Sequence, residues 1–362
     1  MVNLRLSIMN DLLFPSEVAL FQKVFGDIPF EVFPIPKSGS DRVYFRLFSP
    51  EGGSVILCRS ENVEENKVFI RLCLSFRKND VNVPEILAVA PDFKAYLQTD
   101  LGSRSLFDIV TEKVEKPDSQ PSLTPNARHL VKKTLRSLVE MQSLPPAVWE
   151  REVGFPPLAS DLIDYDFQYF LTQFVEAAGV DFNRRAVKCE LSRLGELLAG
   201  YPEETSGFMF RDFQSRNVMV CPEDIQGNSV ETPYFIDFQS GRRGPCVYDL
   251  VSFVFQAKAA YTETERKDFI DFYVACFSET AGVGEEILYD MIPPWALFRV
   301  MQVLGAYGLR GLKEGKQHFI ESIPYGVRNL HDLLSSPRLS GFPALLDLSF
   351  SLIKKYPLRT QN

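Results

Sequence analysis

The chain has 362 residues, 45% of them hydrophobic and 24% charged, with a net charge of -8 and a pI near 5.2. That length fits one large domain or two modest ones with a sizeable core, and the acidic balance argues against a nucleic-acid partner, whose footprint would be basic. Six cysteines, none closer than 15 positions to the next, exclude zinc-type pairing and read as free thiols of a reducing compartment, while three histidines (His129, His318 and His331) leave little for a His-based metal site or triad.

In chain order, Ser16 to Phe25 has helical spacing with Ser16 as its expected N-cap. Short β-type runs follow at Phe30 to Ile35, Val43 to Phe48 and Ser54 to Cys58, the last two separated by a Glu51-Gly52-Gly53 turn. Asn62 to Phe76 reads as a helix, and Glu85 to Ala90 and Ala95 to Thr99 as strands around Pro91-Asp92. Beyond Gly102 helical spacing dominates: Leu106 to Lys113, Pro125 to Gln142, Leu158 to Ala178 and Arg184 to Ala199, with a Pro- and Ser-rich loop at Glu115 to Thr124. Strand-like runs return at Gly207 to Phe210, Val218 to Cys221 and Tyr234 to Ile236, with a polar turn expected over Pro222 to Pro233, and the chain is helical again after Tyr248. No segment reaches about 18 apolar residues and the N-terminus lacks the pattern of a signal peptide, so a cytoplasmic protein without a membrane partner is expected.

Three motifs stand close together: RDFQSRN from Arg211, YFIDFQ from Tyr234 and GPCVYDL from Gly244. Phosphoryl transfer needs a carboxylate for the acceptor hydroxyl and oxygen ligands for Mg²⁺ on the ATP phosphates. An Asp followed five residues later by an Asn supplies both from one loop, with Asp212 as base and Asn217 as metal ligand. The strand ending at Ile236 then delivers Asp237 to the same cation. Each piece alone is common, since an isolated Asp-Phe is usually a turn and an isolated Arg-Asp an exposed pair. Their order, on a loop and hairpin framed by apolar runs, is what points to a site.

Together these motifs resemble the catalytic loop of the aminoglycoside phosphotransferase and choline kinase superfamily, and GSDRVYFRL from Gly39 and YLQTDLGSRSL from Tyr96 resemble its phosphate-covering hairpin and its hinge. Within it, the chain is most similar to the anomeric amino-sugar kinases, which phosphorylate the 1-hydroxyl of N-acetylmuramate or N-acetylglucosamine. The resemblance implies an α+β, protein-kinase-like bilobal fold, with a small β-rich nucleotide lobe at 1–101 and a large helical lobe at 102–362. It also implies ATP and Mg²⁺ as cofactors and a small-molecule acceptor, a sugar. Ser38, Gly39, Ser40 and Arg42 would cover the phosphates, and Thr99 and Leu101 would present backbone groups to adenine. Asp249 would brace the loop.

The chain departs from the family in two places. The usual loop His is absent, with Phe210 two positions before Asp212, and Cys58 or Arg59 stands where the third strand normally carries a phosphate-binding Lys. Arg59 could hold phosphate, with Glu64 or Glu65 as its partner, or be a solvated strand-end charge. Arg211, Gln214, Arg216, Gln239 and Arg242 are candidates for acceptor recognition, and in a polar stripe that runs on to Lys313 the stretch from Arg299 to Arg310 is a further candidate. The missing Lys and His motivate an alternative, a catalytically degenerate nucleotide-binding module of the same fold. A protein kinase ranks last, because the twelve positions from Asp237 to Asp249 leave no room for a long activation segment.

Overall fold

Alternating apolar residues organise the first part of the chain into a five-stranded antiparallel sheet: β1 (Glu31–Ile35), β2 (Val43–Ser49), β3 (Gly53–Arg59), β4 (Ile86–Val89) and β5 (Ala95–Thr99), in the order β1-β2-β3-β5-β4. The computed structural model describes residues 12–36, 41–51, 53–114, 121–225 and 228–358. Because strand side chains alternate between faces, Phe45, Leu47, Val55, Leu57, Ala95 and Leu97 share one face, where they pack with Leu20 and Phe21 of helix α1 (Pro15–Phe25). Helix α2 (Val63–Lys78) meets β5 through the rings of Phe69 and Tyr96, 5.7 Å apart. Ser16 is not the cap of α1. Phe14 takes that position, its N–H donates to the Glu17 carboxylate at 2.7 Å, and Pro15 occupies the first turn, where a missing N–H costs nothing.

The chain divides into two compact units. The first comprises Met1–Leu106, Pro145–Phe155 and Asn217–Gly241, and the second Phe107–Leu144, Pro156–Arg216 and Arg242–Asn362. The first unit therefore ends near the expected boundary at 101 but also takes in the hairpin that carries Asn217 and Asp237. That hairpin is longer than expected: Val218–Ile225 pairs with Asn228–Phe235, so most of the region read as a polar turn is strand. Its polar residues pair across the ribbon, with Thr232 and Tyr234 hydroxyls both donating to Glu223. Apolar periodicity cannot reveal strands stabilised in this way.

The second unit is mainly helical. Its elements include Pro125–Gln142, Ser160–Tyr169 continuing through a π-helical turn at Phe170–Val175, Arg184–Ala199, Val247–Val254, Glu263–Ala281 and the long Glu285–Tyr307. Ser206–Met209 and Arg242–Pro245 form a short two-stranded ribbon in this unit. Among the described residues, no helix is long and apolar enough to cross a membrane.

Phe238, next to Asp237, is fully buried in the first unit, its ring 5.0 Å from Phe69 and 5.5 Å from Phe76. Phe238→Ala should lower the unfolding free energy by about 3–5 kcal/mol, the usual cost of removing a core ring. Urea unfolding of the purified variant checks this, and a loss below ~1 kcal/mol would mean the ring does not anchor the end of the hairpin.

Candidate active site

In the second unit the strand Ser206–Met209 leads into Phe210-Arg211-Asp212. Gly207 allows a close approach, since a Cβ there would lie 2.4 Å from the Gln142 carbonyl oxygen. Arg211 has a left-handed backbone, φ 78°, which costs a non-glycine residue about 1–2 kcal/mol. The fully buried Asp249 carboxylate compensates by accepting the N–H groups of Phe210 at 2.7 Å and Arg211 at 2.9 Å, and a third bond from Gln142 at 3.2 Å. Burial pushes Asp249 up to about 7 against the pull of these donors. Phe210 and Phe213 are buried on either side of Asp212 and meet edge to face at 5.3 Å, so the loop turns its acid outward.

The Asp212 side chain is 52% exposed, and its Oδ1 accepts from Arg299 Nη2 at 3.1 Å. Arg299 is buried on Glu285–Tyr307 and also donates to Ser252 Oγ at 3.0 Å and Gln302 Oε1 at 2.6 Å. Gln302 accepts a further bond from the Tyr248 hydroxyl at 2.5 Å and donates to Asp166 Oδ2 at 2.6 Å. Burial raises the Asp166 carboxyl above its ordinary range while Gln302, Arg211, Arg299 and Arg242 oppose it. Arg242 is held down by burial and then by the like charge of Arg211. Its place in the ribbon, opposite Met209, explains how a residue 31 positions past Arg211 comes beside it. Arg299 thus links Asp212 to a network that contains Gln302, Tyr248 and Asp166. Gln214 is half-buried on the loop, and Arg216 lays its guanidinium over the Phe107 ring at 4.2 Å.

The chain passes from the second unit to the first between Arg216 and Asn217, within the short turn Ser215–Asn217. In the first unit the Ile236 N–H donates to the Asn217 carbonyl at 3.0 Å, and the Asn217 amide nitrogen lies 3.5 Å from Asp237 Oδ2. Asp237 is exposed with φ 68°, a conformation Asp tolerates better than most residues, and Gln239 Nε2 donates to its Oδ1 at 2.7 Å. An amide and a carboxylate at this separation fit Mg²⁺, which takes one or two protein oxygens and fills its shell with water and phosphate. A half-turn of the Asn217 amide would present its oxygen. Gln239, expected at the acceptor, is instead bound to the metal-ligand candidate.

The other nucleotide candidates divide. Glu65 Oε1 lies 3.2 Å from Arg42 Nη2, so the partner of Glu65 is Arg42 and not Arg59. Arg59 is committed elsewhere: it donates to Glu17 and to the Leu12 carbonyl and lies over the Phe14 and Phe45 rings. The structure therefore does not bring Arg59 together with Glu64 or Glu65. Thr99 bonds Glu85 through both its N–H and its hydroxyl, and the Leu101 carbonyl accepts from the Cys221 thiol at 3.2 Å. Ser38, Gly39 and Ser40 lie outside the described residues.

Sequence reasoning missed Asp166, although Ile163, Asp166, Phe167 and Phe170 mark one buried helical face on which an acid is conspicuous. Arg299 and Gln302, three positions apart, stood out only as part of a polar stripe. Of that stripe, Arg310 bonds its neighbour Glu314 and Lys313 bonds Gln173.

A carboxylate on a braced loop, an Asn beside an Asp at the mouth of the following hairpin, and an Arg–Glu pair next to a five-stranded sheet are candidates for the parts a phosphotransferase needs. The chain belongs to the phosphotransferase enzyme family, whose model matches residues 31–283, and it is an ATP-dependent enzyme acting on a hydroxyl. It is 24% identical to the N-acetylmuramate/N-acetylglucosamine kinase of Pseudomonas aeruginosa, over 89% of this chain and 90% of that one. It is 23% identical to the kinase of the same name from Neisseria meningitidis serogroup B, over 84% and 85%. Its fold matches a choline/ethanolamine kinase family protein from Mesorhizobium loti with a TM-score of 0.60 and 13% identity, over 94% of this chain and 99% of that one.

Arg299→Lys should lower kcat by about 10²-fold, the scale on which a misplaced catalytic group costs rate, with MgATP affinity unchanged within threefold (~0.65 kcal/mol). Initial-rate kinetics beside calorimetric titration of MgATP separate the two quantities. Wild-type kcat in a folded Arg299→Lys protein would show that Arg299 does not set the position of Asp212.

Proposed function

We propose that this enzyme phosphorylates the anomeric hydroxyl of an N-acetylated amino sugar or a related hexose, with MgATP as donor. Asp212 accepts the hydrogen bond of the acceptor hydroxyl and takes its proton as the new oxygen–phosphorus bond forms and the bond to the β-phosphate oxygen breaks, leaving ADP. Arg299 holds the carboxylate in position for that contact. Asn217 and Asp237 hold Mg²⁺, which when bound offsets the charge of the phosphate oxygens. Gln239 keeps Asp237 oriented, and backbone groups around Thr99 and Leu101 meet the adenine. The acceptor is a small molecule, and no part of this scheme calls on nucleic acid or a membrane.

The observation that carries the choice of acceptor is the charge around the base. Arg211, Arg242 and Arg299 all act on Asp166, and Arg299 also holds the Asp212 carboxylate. Polycationic acceptors such as aminoglycosides would need this balance reversed, whereas neutral sugars, and sugars with a carboxylate, suit it. The names of the two bacterial relatives point the same way.

Incubation with ATP, Mg²⁺ and panels of amino sugars, hexoses, aminoglycosides and choline, read by ADP release, tests the class. Phosphorus NMR of the product then tests the position, because an anomeric phosphate couples to the ring H1 and is acid-labile. In the productive reaction, Asp212→Asn should reduce turnover by about 10²–10⁴-fold. Turnover confined to cationic acceptors, or phosphate on the primary hydroxyl, would overturn the assignment of the acceptor.

A further inference from the structure

The first unit holds a buried cation that the side chains of the described residues leave incompletely satisfied. Arg42, immediately before β2, is 4% exposed. Its Nη2 lies within ion-pair range of Glu65 Oε1 at 3.2 Å but off hydrogen-bond alignment, and its Nε has no acceptor among the described residues. Buried guanidinium N–H groups without acceptors are uncommon, because each has given up a bond to water. Such a group points to a ligand that supplies oxygen.

Strand parity shows which face this cation serves. Arg42, Tyr44 and Arg46 alternate with Val43, Phe45 and Leu47, and Phe45 and Leu47 belong to the core under α1. The pairing Tyr44 with Cys58, and Cys58 with Tyr96, continues the face of Arg42 across β2, β3 and β5. Arg59, one residue past Cys58, falls on the α1 face, where Glu17 holds it. The third strand therefore presents a thiol where a phosphate-binding cation would stand. Burial raises the Tyr44, Cys58 and Tyr96 groups above their ordinary values, so all three are neutral at neutral pH and do not cancel the guanidinium.

The face also leads to the metal-ligand candidate. Tyr44 is an electrostatic neighbour of both Arg42 and Asp237. The Arg42 guanidinium lies 5.8 Å from the centre of the Phe69 ring, which stacks on Phe238, the residue after Asp237. Glu65 is itself fixed: its N–H donates to Asn62 Oδ1 at 3.2 Å, and its Oε2 accepts from Asn62 Nδ2 at 2.9 Å. A carboxylate set in this way orients a guanidinium and leaves donors for a further anion.

Resting on the phosphotransferase assignment, we propose that Arg42, immediately before the second strand and oriented by Glu65, is the cation that holds the phosphates of the donor nucleotide in place of a third-strand residue. Arg59 is then a structural clamp on α1 with no part in nucleotide binding.

Calorimetric titration of ATP and of adenosine into the full-length protein tests this without turnover. Arg42→Gln should weaken ATP binding by about 10- to 100-fold, the range for a charge-assisted hydrogen bond, and leave adenosine within twofold. Arg42→Lys, which keeps the charge but loses the planar fork, should recover part of the ATP affinity and stands in should the Gln variant fail to fold. Arg59→Gln should leave ATP binding within threefold while lowering the melting temperature. Equal losses for ATP and adenosine in the Arg42 variants, or a loss specific to ATP in Arg59→Gln, would overturn the proposal. A wild-type protein that binds adenosine and ATP equally would overturn it too, and one that binds neither would instead overturn the assignment on which it rests.

Discussion

The catalytic loop depends on a single buried carboxylate. Asp249 receives the N–H groups of Phe210 and Arg211, and without it the left-handed turn at Arg211 would have two unanswered donors as well as its backbone strain. The strain costs about 1–2 kcal/mol, and a buried hydrogen bond contributes a net ~0.5–1.5 kcal/mol, so the two bonds together offset it. Gln142 ties the same carboxylate to the end of Pro125–Gln142, and the Tyr273 hydroxyl donates to Gln142 and to the Cys246 carbonyl. Asp212 is therefore aimed by groups that lie behind it in the core of the second unit, and its outward face is left to chemistry.

A second division runs through the sheet. One face is an ordinary apolar core closed by α1, with Arg59 and Glu17 stitching the helix to the end of β3. The other carries Arg42, Tyr44, Cys58 and Tyr96, and meets α2 through the rings of Tyr96 and Phe69. Since the two faces differ only by one step along each strand, Arg59 meets Glu17 on the side of α1 while Arg42 meets Glu65 on the other.

Charge is handled differently in the two units. Around Asp212 the arginines have assigned partners, with Arg299 spent on Asp212, Ser252 and Gln302, and Arg211 and Arg242 set near Asp166. Around Asp237 the acids and amides face outward, Gln239 steadying the carboxylate and Asn217 beside it. The chain joins these two environments across one peptide bond, between Arg216 and Asn217.

The sequence by itself determined the order of strands and helices, the loop bearing Asp212 and Asn217, and the strand ending at Asp237. These follow from local spacing, since strand alternation, helical periodicity and a five-residue step around a turn are properties of neighbouring residues. The tertiary structure alone decided who partners whom. Arg299 reaches Asp212 across 87 positions and Arg42 reaches Glu65 between strand and helix. Arg59 turns to Glu17 because of its parity and the nearness of α1, neither of which a strand-end arginine advertises. The strands hidden in the expected turn at 222–233 belong with these, since cross-strand bonds such as Thr232 and Tyr234 to Glu223 support them. Ion pairs and cross-strand bonds form through space, and residue order constrains them only after the backbone has brought their ends together.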